Sequence, residues 1–305
     1  MRKGYDQQMG VERRMMSDLD TRGVLGYATE SVEFNSIIKS WESVRPKPGD
    51  FKNVYPDNEI ATDAASVAEI KRSATYQREK TRDQVASEYV IMEQVYNGGL
   101  GEEVGVTPTS EYDDIKNGVD FVVAFPAEEG KDPVYIGVDV TTGPVITIQK
   151  KLGRTARGLK NSELANIKYY IDDENPDYKG NLSVPRVVVG IEPERVKQIY
   201  DNFITSKKND IDPQFQAEML DEMAGQLKEG LLYLIENFVG TGGEKLTTAE
   251  QILDFCQKKQ HIIEKREPQV TKSVQSYFRA LARVIELKKI TPHSDVMSEG
   301  DRVAV

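Results

Sequence analysis

Two neighbouring stretches decide the fold, "YDDIKNGVDFVVAF" at residues 112–125 and "VYIGVDVTTG" at residues 134–143. Both are rich in β-branched and aromatic residues, so each predicts a β-strand. The connection between them, "PAEEGKDP", is short and has Gly and Pro at turn-like positions, which favours an antiparallel hairpin. If this hairpin folds symmetrically, Asp120 and Asp139 lie opposite each other across the two strands.

Opposed aspartates raise a physical problem that the fold must solve. Directly opposed residues have Cβ atoms about 4.5–5.5 Å apart, and like charges at this distance destabilise the sheet. The repulsion is relieved if one carboxylate takes up a proton or if a cation lies between the two. Oxygen ligands at this spacing suit Mg²⁺ or Mn²⁺. The alternative is a shifted register or a bulge that leaves both aspartates solvated at strand ends.

The composition excludes several kinds of site. The 305-residue chain has one cysteine, Cys256, which excludes an intramolecular disulfide framework and a cysteine-based metal cluster. The two histidines, His261 and His293, lie far along the chain from the aspartate pair, so neither a Ser-His-Asp triad nor a histidine-rich metal site is expected. No apolar run approaches the roughly 18 residues that span a bilayer. Without a signal-peptide pattern, the sequence predicts a cytoplasmic protein with no membrane contact.

The charge is spread unevenly along the chain. The formal net charge is −10, which argues against a protein that coats nucleic acid over its whole surface. Between Gly101 and Val140 there are ten acidic and two basic residues, whereas Lys150 to Lys168 contains six basic residues and one acidic residue. An acidic site beside a basic stripe is therefore expected.

The chain divides into four predicted segments. They are a partly irregular N-terminal arm at 1–72, a core at 73–200, a helical extension at 201–292 and a loose tail at 293–305. The apolar faces of the helical extension indicate packing on the core or a homodimer contact.

Within the core, apolar spacing predicts a helix at 73–96 that "NGG" at 97–99 ends. Strands are predicted at 119–125, 134–141, 145–148 and 185–191. Residues 150–170 have helical composition with little β-branching. This order of elements predicts a mixed α/β core with helices on its C-terminal side.

The layout resembles a known family. A helix with a glutamate, an aspartate that opens a strand, and a hairpin to an acidic residue followed by a helix resemble the PD-(D/E)XK nuclease superfamily, in particular a bacterial branch of it. "GVD" at 118–120 corresponds to the PD element and "DVT" at 139–141 to the (D/E)XK element. The resemblance covers residues 85–195. It implies a restriction-endonuclease-like α+β core, a mixed sheet flanked by helices, that hydrolyses phosphodiester bonds of nucleic acid, with DNA favoured over RNA.

The resemblance also implies a metal site and a catalytic lysine. Asp120 and Asp139 would hold Mg²⁺ or Mn²⁺ with a helical glutamate, either Glu88 or Glu93, which are too far apart in the helix to share a face. Thr141 occupies the position where the family has its lysine.

Two lysines farther along the chain are available to replace the missing one. Lys150 and Lys151 lie at the start of the basic segment, and either would assist at the attacking water. If neither lysine reaches the metal, the site binds but does not cleave.

The remaining candidates concern binding. A basic stripe is expected to lie along a nucleic-acid backbone, although an ordinary solvated helix face explains it equally well. Its members are Arg154, Arg157, Lys160 and Lys168. Tyr169 and Tyr170 would stack on bases or pack in the core. Asp113 and Asp114 form Asx-turn hydrogen bonds or support the metal.

A second functional class remains open at this stage. The missing lysine and the acidic total are compatible with a non-enzymatic binding or interaction module that keeps a nuclease-like core. A phosphate loop is a weaker reading, because "NGGLGEEVG" lacks the Lys-Ser/Thr ending.

Overall fold

The computed structural model describes residues 32–73, 76, 82–101, 103–127, 132–142, 145–172, 178–206 and 213–290. The predicted tail, 293–305, and residues 1–31 of the predicted arm lie outside these residues. The rest of the predicted arm is helical. It forms α1 (Val32–Val44), a 3₁₀ turn (Pro48–Phe51) and α2 (Asp57–Arg72).

The helix that precedes the sheet is α3 (Arg82–Gln94), which continues into a π-helical turn (Val95–Gly99). The residues predicted to precede it, 74–75 and 77–81, lie outside the described part of the chain. The predicted end at "NGG" is confirmed, because Gly98 adopts a φ of 97°, a conformation that glycine tolerates without a Cβ clash. Tyr89, Met92 and Val95 are buried on one side of this helix.

In the described part of the chain, six strands form two sheets. They are β1 (Gly105–Pro108), β2 (Phe121–Phe125), β3 (Val134–Thr141), β4 (Ala165–Ile171), β5 (Lys179–Val184) and β6 (Arg186–Gly190). The main sheet has the order β1-β2-β3-β6, and β4 and β5 form a separate antiparallel pair. β1, β2 and β3 are antiparallel neighbours, and β6 runs parallel to β3.

The predicted hairpin register is confirmed. Phe121 pairs with Val138, and Phe125 pairs with Val134. The same register, continued by one residue, places Asp120 opposite Asp139. β2 is apolar on both sides because both sides are covered: Phe121 packs in the main core, and Val122 packs in a smaller core with the β4–β5 hairpin.

The connection between β3 and β6 differs from the prediction. The strand predicted at 145–148 is wrong, since α4 (Val145–Lys160) begins there. The helical reading of 150–170 is wrong beyond Lys160, because β4 occupies Ala165–Ile171. The first residues of α4 are β-branched, but they are helical because Ile148 packs closely on Gly190 of β6. A Cβ added at Gly190 would lie 3.0 Å from the Ile148 side chain.

The C-terminal part is helical, as predicted. Its helices are α5 (Pro193–Ser206), α6 (Pro213–Leu234), α7 (Ala249–Lys258), α8 (Gln260–Ile263) and α9 (Pro268–Ile290). α6 begins at Pro213, and its final π-helical turn (Ile235–Val239) ends at Gly240. The capping box of α7 uses Thr248 and Gln251.

One main apolar core joins these helices to the sheet, extending from Trp41 in α1 to Leu287 in α9. The architecture is an α+β fold with a four-stranded mixed sheet flanked by helices and a helical C-terminus. α6 also closes the open edge of β6. The Gln226 amide accepts from Val188 N at 2.8 Å and donates to Val188 O at 2.6 Å. Among the described helices, none combines the length and apolar character needed to cross a membrane.

Candidate metal centre

Three carboxylates from three elements meet beside the hairpin. Glu88 comes from α3, Asp114 from a π-helical turn (Asp113–Asn117) and Asp120 from the residue before β2. One oxygen of each side chain lies within 4.8 Å of the others. Glu88 and Asp120 are buried, so water screens their repulsion poorly. A triad of this kind can bind a metal ion.

The hairpin fixes Asp120 through both its backbone and its side chain. Asp120 N donates to Val138 O at 2.8 Å, and Asp120 Oδ2 accepts from Val140 N at 2.7 Å. Burial raises the pKa of Asp120 well above its ordinary value, and the neighbouring Glu88 and Asp114 raise this pKa further. The geometry therefore favours a proton or a cation at this carboxylate.

Asp114 is placed by the turn that leads into β2. The turn ends at Gly118, whose φ of 65° lies in the left-handed region. Arg45 of α1's C-terminal side donates from Nη2 to Asp114 Oδ2 at 2.9 Å and from Nε to Thr109 O at 2.7 Å. Asp113 has a different task, since its buried carboxylate accepts from Ser110 and from the backbone of β4. Of the two aspartates, only Asp114 belongs to the triad.

Gln84 positions Glu88 and ties α3 to the end of β3. Gln84 Nε2 donates to Glu88 Oε1 at 3.0 Å and to Val140 O at 2.9 Å. Gln84 Oε1 accepts from Thr142 N and Thr142 Oγ1, each at 3.3 Å. The sequence analysis missed Gln84, although it precedes Glu88 by one helical turn on the same face.

Asp139 lies outside the triad and contacts Lys151 instead. Lys151 Nζ donates to Asp139 Oδ1 and, at 2.8 Å, to Val140 O. Burial raises the pKa of Asp139 although Lys151 lowers it. Burial lowers the pKa of Lys151, but Asp120 and Asp139 together outweigh burial and raise it. The ammonium and the carboxylate therefore stabilise each other's charged form.

The two candidate lysines have different positions. Lys151 reaches the acidic site from α4, whereas Lys150 is exposed on the same helix. Thr141, which has the position of the family lysine, is buried and pairs with Gly190 of β6.

Glu93 does not reach the site. Its carboxylate accepts from Trp41 Nε1 at 2.7 Å and from Asn97 at 3.2 Å, on the part of α3 that packs against α1. Between the two candidate glutamates, the structure thus brings only Glu88 to the triad, because a difference of five positions turns the side chains to different faces of the helix.

The predicted basic stripe is divided between two elements. Arg154, Arg157 and Lys160 are exposed on α4, but Lys168 belongs to β4. Lys168 Nζ pairs with Glu59 and Asp63 of α2. Three tyrosine rings surround the same ammonium at 5.0–5.6 Å; they are Tyr55, Tyr112 and Tyr169. Lys168 is therefore satisfied internally.

The two tyrosines that follow Lys168 in the sequence are also buried inside the protein. Tyr169 and Tyr170 are buried, which agrees with core packing rather than with base stacking.

The donor set fits a hard divalent cation. All three side chains of the triad offer carboxylate oxygen, the ligand type that Mg²⁺, Mn²⁺ and Ca²⁺ prefer. Octahedral ligands at about 2.0–2.1 Å from Mg²⁺ lie at most about 4.2 Å apart. Only one pair among three such ligands can be opposite, and adjacent ligands lie about 2.9 Å apart. The triad oxygens, which lie within 4.8 Å of one another, would therefore each move by up to about 1 Å to bind one ion.

Comparison with known proteins adds no relative. No protein-family model, curated protein or solved structure matches this chain. The functional argument therefore depends on the chemistry of the site itself.

Proposed function

We propose that this protein is a divalent-metal-dependent nuclease of the PD-(D/E)XK type, which hydrolyses phosphodiester bonds of nucleic acid. The observation that carries this proposal is the triad of Glu88, Asp114 and Asp120 beside the Asp139–Lys151 pair. An acidic cluster with an adjacent lysine is the combination that metal-assisted phosphodiester hydrolysis needs.

The order of elements supports the same proposal. A helix with a glutamate (α3) precedes an antiparallel hairpin (β2 and β3) whose two aspartates meet, and a helix (α4) follows with a lysine at the site. This is the layout on which the resemblance to the superfamily rests. The lysine at the site belongs to α4 and not to β3. The β3 position where the family has its lysine is therefore free to be a threonine, Thr141.

Each residue has a separate task in this mechanism. A bound Mg²⁺ or Mn²⁺ supplies Lewis acidity toward the phosphate and lowers the pKa of water. The triad would hold the cation, and the hydrogen bond from Val140 N fixes the orientation of the Asp120 carboxylate. Lys151 provides the positive charge at the attacking water or a phosphate oxygen.

The exposed face of α4 provides affinity for the substrate. Arg154, Arg157 and Lys160 contact backbone phosphates, which gives binding without sequence choice. DNA is the favoured substrate.

The proposal is tested by Mn²⁺- and Mg²⁺-dependent nicking of supercoiled plasmid, with single-stranded DNA and RNA as further substrates. Glu88→Gln and Asp120→Asn are expected to reduce cleavage by about a hundredfold or more, because even residues that only support a metal ligand cost about 10–100-fold. Glu93→Gln is the matched control, a neutralised glutamate on the same helix that lies outside the triad. Equal cleavage by Asp120→Asn and by the unmodified protein would refute the proposal.

A second candidate function is a binding module without catalysis. Arg45 pairs with Asp114 and Lys151 pairs with Asp139, so internal cations neutralise part of the acidic charge without a metal. If this is the role of the site, nucleic-acid binding is unchanged by EDTA, and Mn²⁺ does not raise the melting temperature.

A further inference from the structure

Lys151 places a positive charge beside the triad without contacting its members directly in the hydrogen bonds that it makes. Its ammonium donates to the Asp139 carboxylate and to the Val140 carbonyl, and it lies close enough to Asp120 and Glu88 to interact with their charges. A cation is thus already present among the carboxylates, and it belongs to the protein.

The Val140 peptide joins this ammonium to the triad. Val140 N donates to Asp120 Oδ2, while Val140 O accepts from both Lys151 Nζ and Gln84 Nε2. Gln84 in turn donates to Glu88. Movement of Lys151 therefore changes the hydrogen bonding of the Val140 peptide. Asp120 contacts this peptide, and so does Gln84, which donates to Glu88.

We propose that the Lys151 ammonium and a divalent ion at the triad oppose each other's binding through charge repulsion, so that metal binding releases Lys151 from Asp139. This inference rests on the proposed function. An ammonium and a divalent ion repel each other within a few ångströms in a buried site. The released lysine is then available to the substrate only in the metal-loaded protein.

The repulsion predicts an unusual effect of removing the lysine. Lys151→Met keeps the apolar stem but removes the charge, and it is expected to bind Mn²⁺ about tenfold more tightly than the unmodified protein, within the usual range of about 5–150-fold for coupled binding. The same variant is expected to lose cleavage.

Isothermal titration of Mn²⁺ tests this prediction on the full chain, with Lys150→Met as the matched control. Lys150 is exposed on the same helix, so its removal changes net charge equally but is expected to change affinity by less than about twofold. Equal or weaker Mn²⁺ binding by Lys151→Met overturns the inference alone. The absence of Mn²⁺ binding in all three proteins overturns the proposed function as well.

A second measurement uses the unmodified chain and does not depend on the folding of a variant. Lysines are acetylated with acetic anhydride with and without Mn²⁺, and the modified peptides are quantified by mass spectrometry. Acetylation of Lys151 is expected to rise severalfold with Mn²⁺, because its ion pair with Asp139 is broken, while Lys150 is unaffected. An unchanged Lys151 reactivity in protein that binds Mn²⁺ overturns the inference.

Discussion

At the scale of single residues, Asp120 is the carboxylate whose charge the fold stabilises least. It is buried next to Glu88 and Asp114, and its pKa is raised well above the ordinary value by burial first and by these neighbours second. The folded chain therefore binds a proton at Asp120 more tightly than the unfolded chain does. Stability is lost as the pH rises from the unfolded pKa of about 3.9 toward the higher folded pKa.

Asp120→Asn is expected to stabilise the metal-free protein at neutral and higher pH. The amide oxygen still accepts from Val140 N, whereas the uncompensated charge is gone. We expect a gain of about 1 kcal/mol, which corresponds to about 1.5 °C in Tm for a chain of this size, and a smaller gain at pH 4. Thermal unfolding in EDTA at pH 4 and pH 8 measures it. A lower Tm of the variant at pH 8 contradicts the account.

The sequence predicted part of this site for a local reason. Side chains alternate along strands, so a symmetric hairpin was sufficient to place Asp120 opposite Asp139. The roles of Asp114 and Gln84 were not predictable in this way. Asp114 depends on a π-helical turn, and Gln84 depends on how α3 packs against the end of β3, and neither follows from local periodicity.

At the scale of elements, the turn before β2 depends on Gly118. A Cβ at this position would lie 2.1 Å from Arg154 Nη1 and 3.2 Å from Arg186 Nη1, and φ is 65°. Gly118→Ala is therefore expected to destabilise the protein by about 1–2 kcal/mol, through left-handed strain and displacement of Arg154. Urea unfolding measures the change.

Gly225 provides the matched control for this substitution. It lies inside α6, and a Cβ there would meet nothing within 4 Å. Gly225→Ala is expected to stabilise the protein by about 0.5–1 kcal/mol, because alanine is the better helix former. Equal effects of the two substitutions would mean that the turn is not under the strain described.

The α4 stripe is a second property of an element. Arg157→Gln with Lys160→Gln is expected to weaken nucleic-acid binding for all sequences alike and to reduce the slope of log K against log salt by about 2. Lys168→Gln removes one charge from the same predicted stripe, but Lys168 is paired with Glu59 and Asp63. It is expected to lower stability and leave the salt slope unchanged. Fluorescence anisotropy at several salt concentrations separates these outcomes.

The helix–strand boundaries around this stripe were the least predictable feature. The β-branched residues at 145–148 favour a strand by propensity, but they lie in α4, where packing on β6 decides. After α4, the chain turns through Ser162, which has a φ of 52°, and no glycine marks that turn. The sequence therefore favours a helix that extends to Lys168, whereas α4 ends at Lys160.

At the scale of the whole molecule, the C-terminal helices complete the core that the sheet begins. α6 and α9 contribute apolar residues to the same cluster as α1, α3 and the main sheet. The helical character of this region was predictable, because the periodic apolar residues and Pro213 are local signals. The sequence allows the apolar faces of these helices either to pack on the core or to form a dimer contact. In the structure, the apolar face of α6 packs in the core.

The two hydrogen bonds between Gln226 and Val188, here called the Gln226 clamp, allow a test of how strongly the docking of α6 depends on polar contacts. Gln226→Met keeps the length of the side chain but leaves Val188 N and Val188 O without their partner. The expected cost is about 1–3 kcal/mol in the free energy of unfolding, measured by urea. Gln214→Met, an exposed change on the same helix, is expected to cost less than about 0.5 kcal/mol.

The clamp also has a consequence for self-association. A strand with open backbone groups is a template on which another chain can add a strand of its own. In this protein, the Gln226 amide makes the two hydrogen bonds at Val188 that such an added strand would make. The backbone groups of Val188 are therefore not available to a neighbouring molecule. Gln226→Met would leave Val188 N and Val188 O open at this edge, and the variant is expected to form more of the larger species at high concentration than the unmodified chain does.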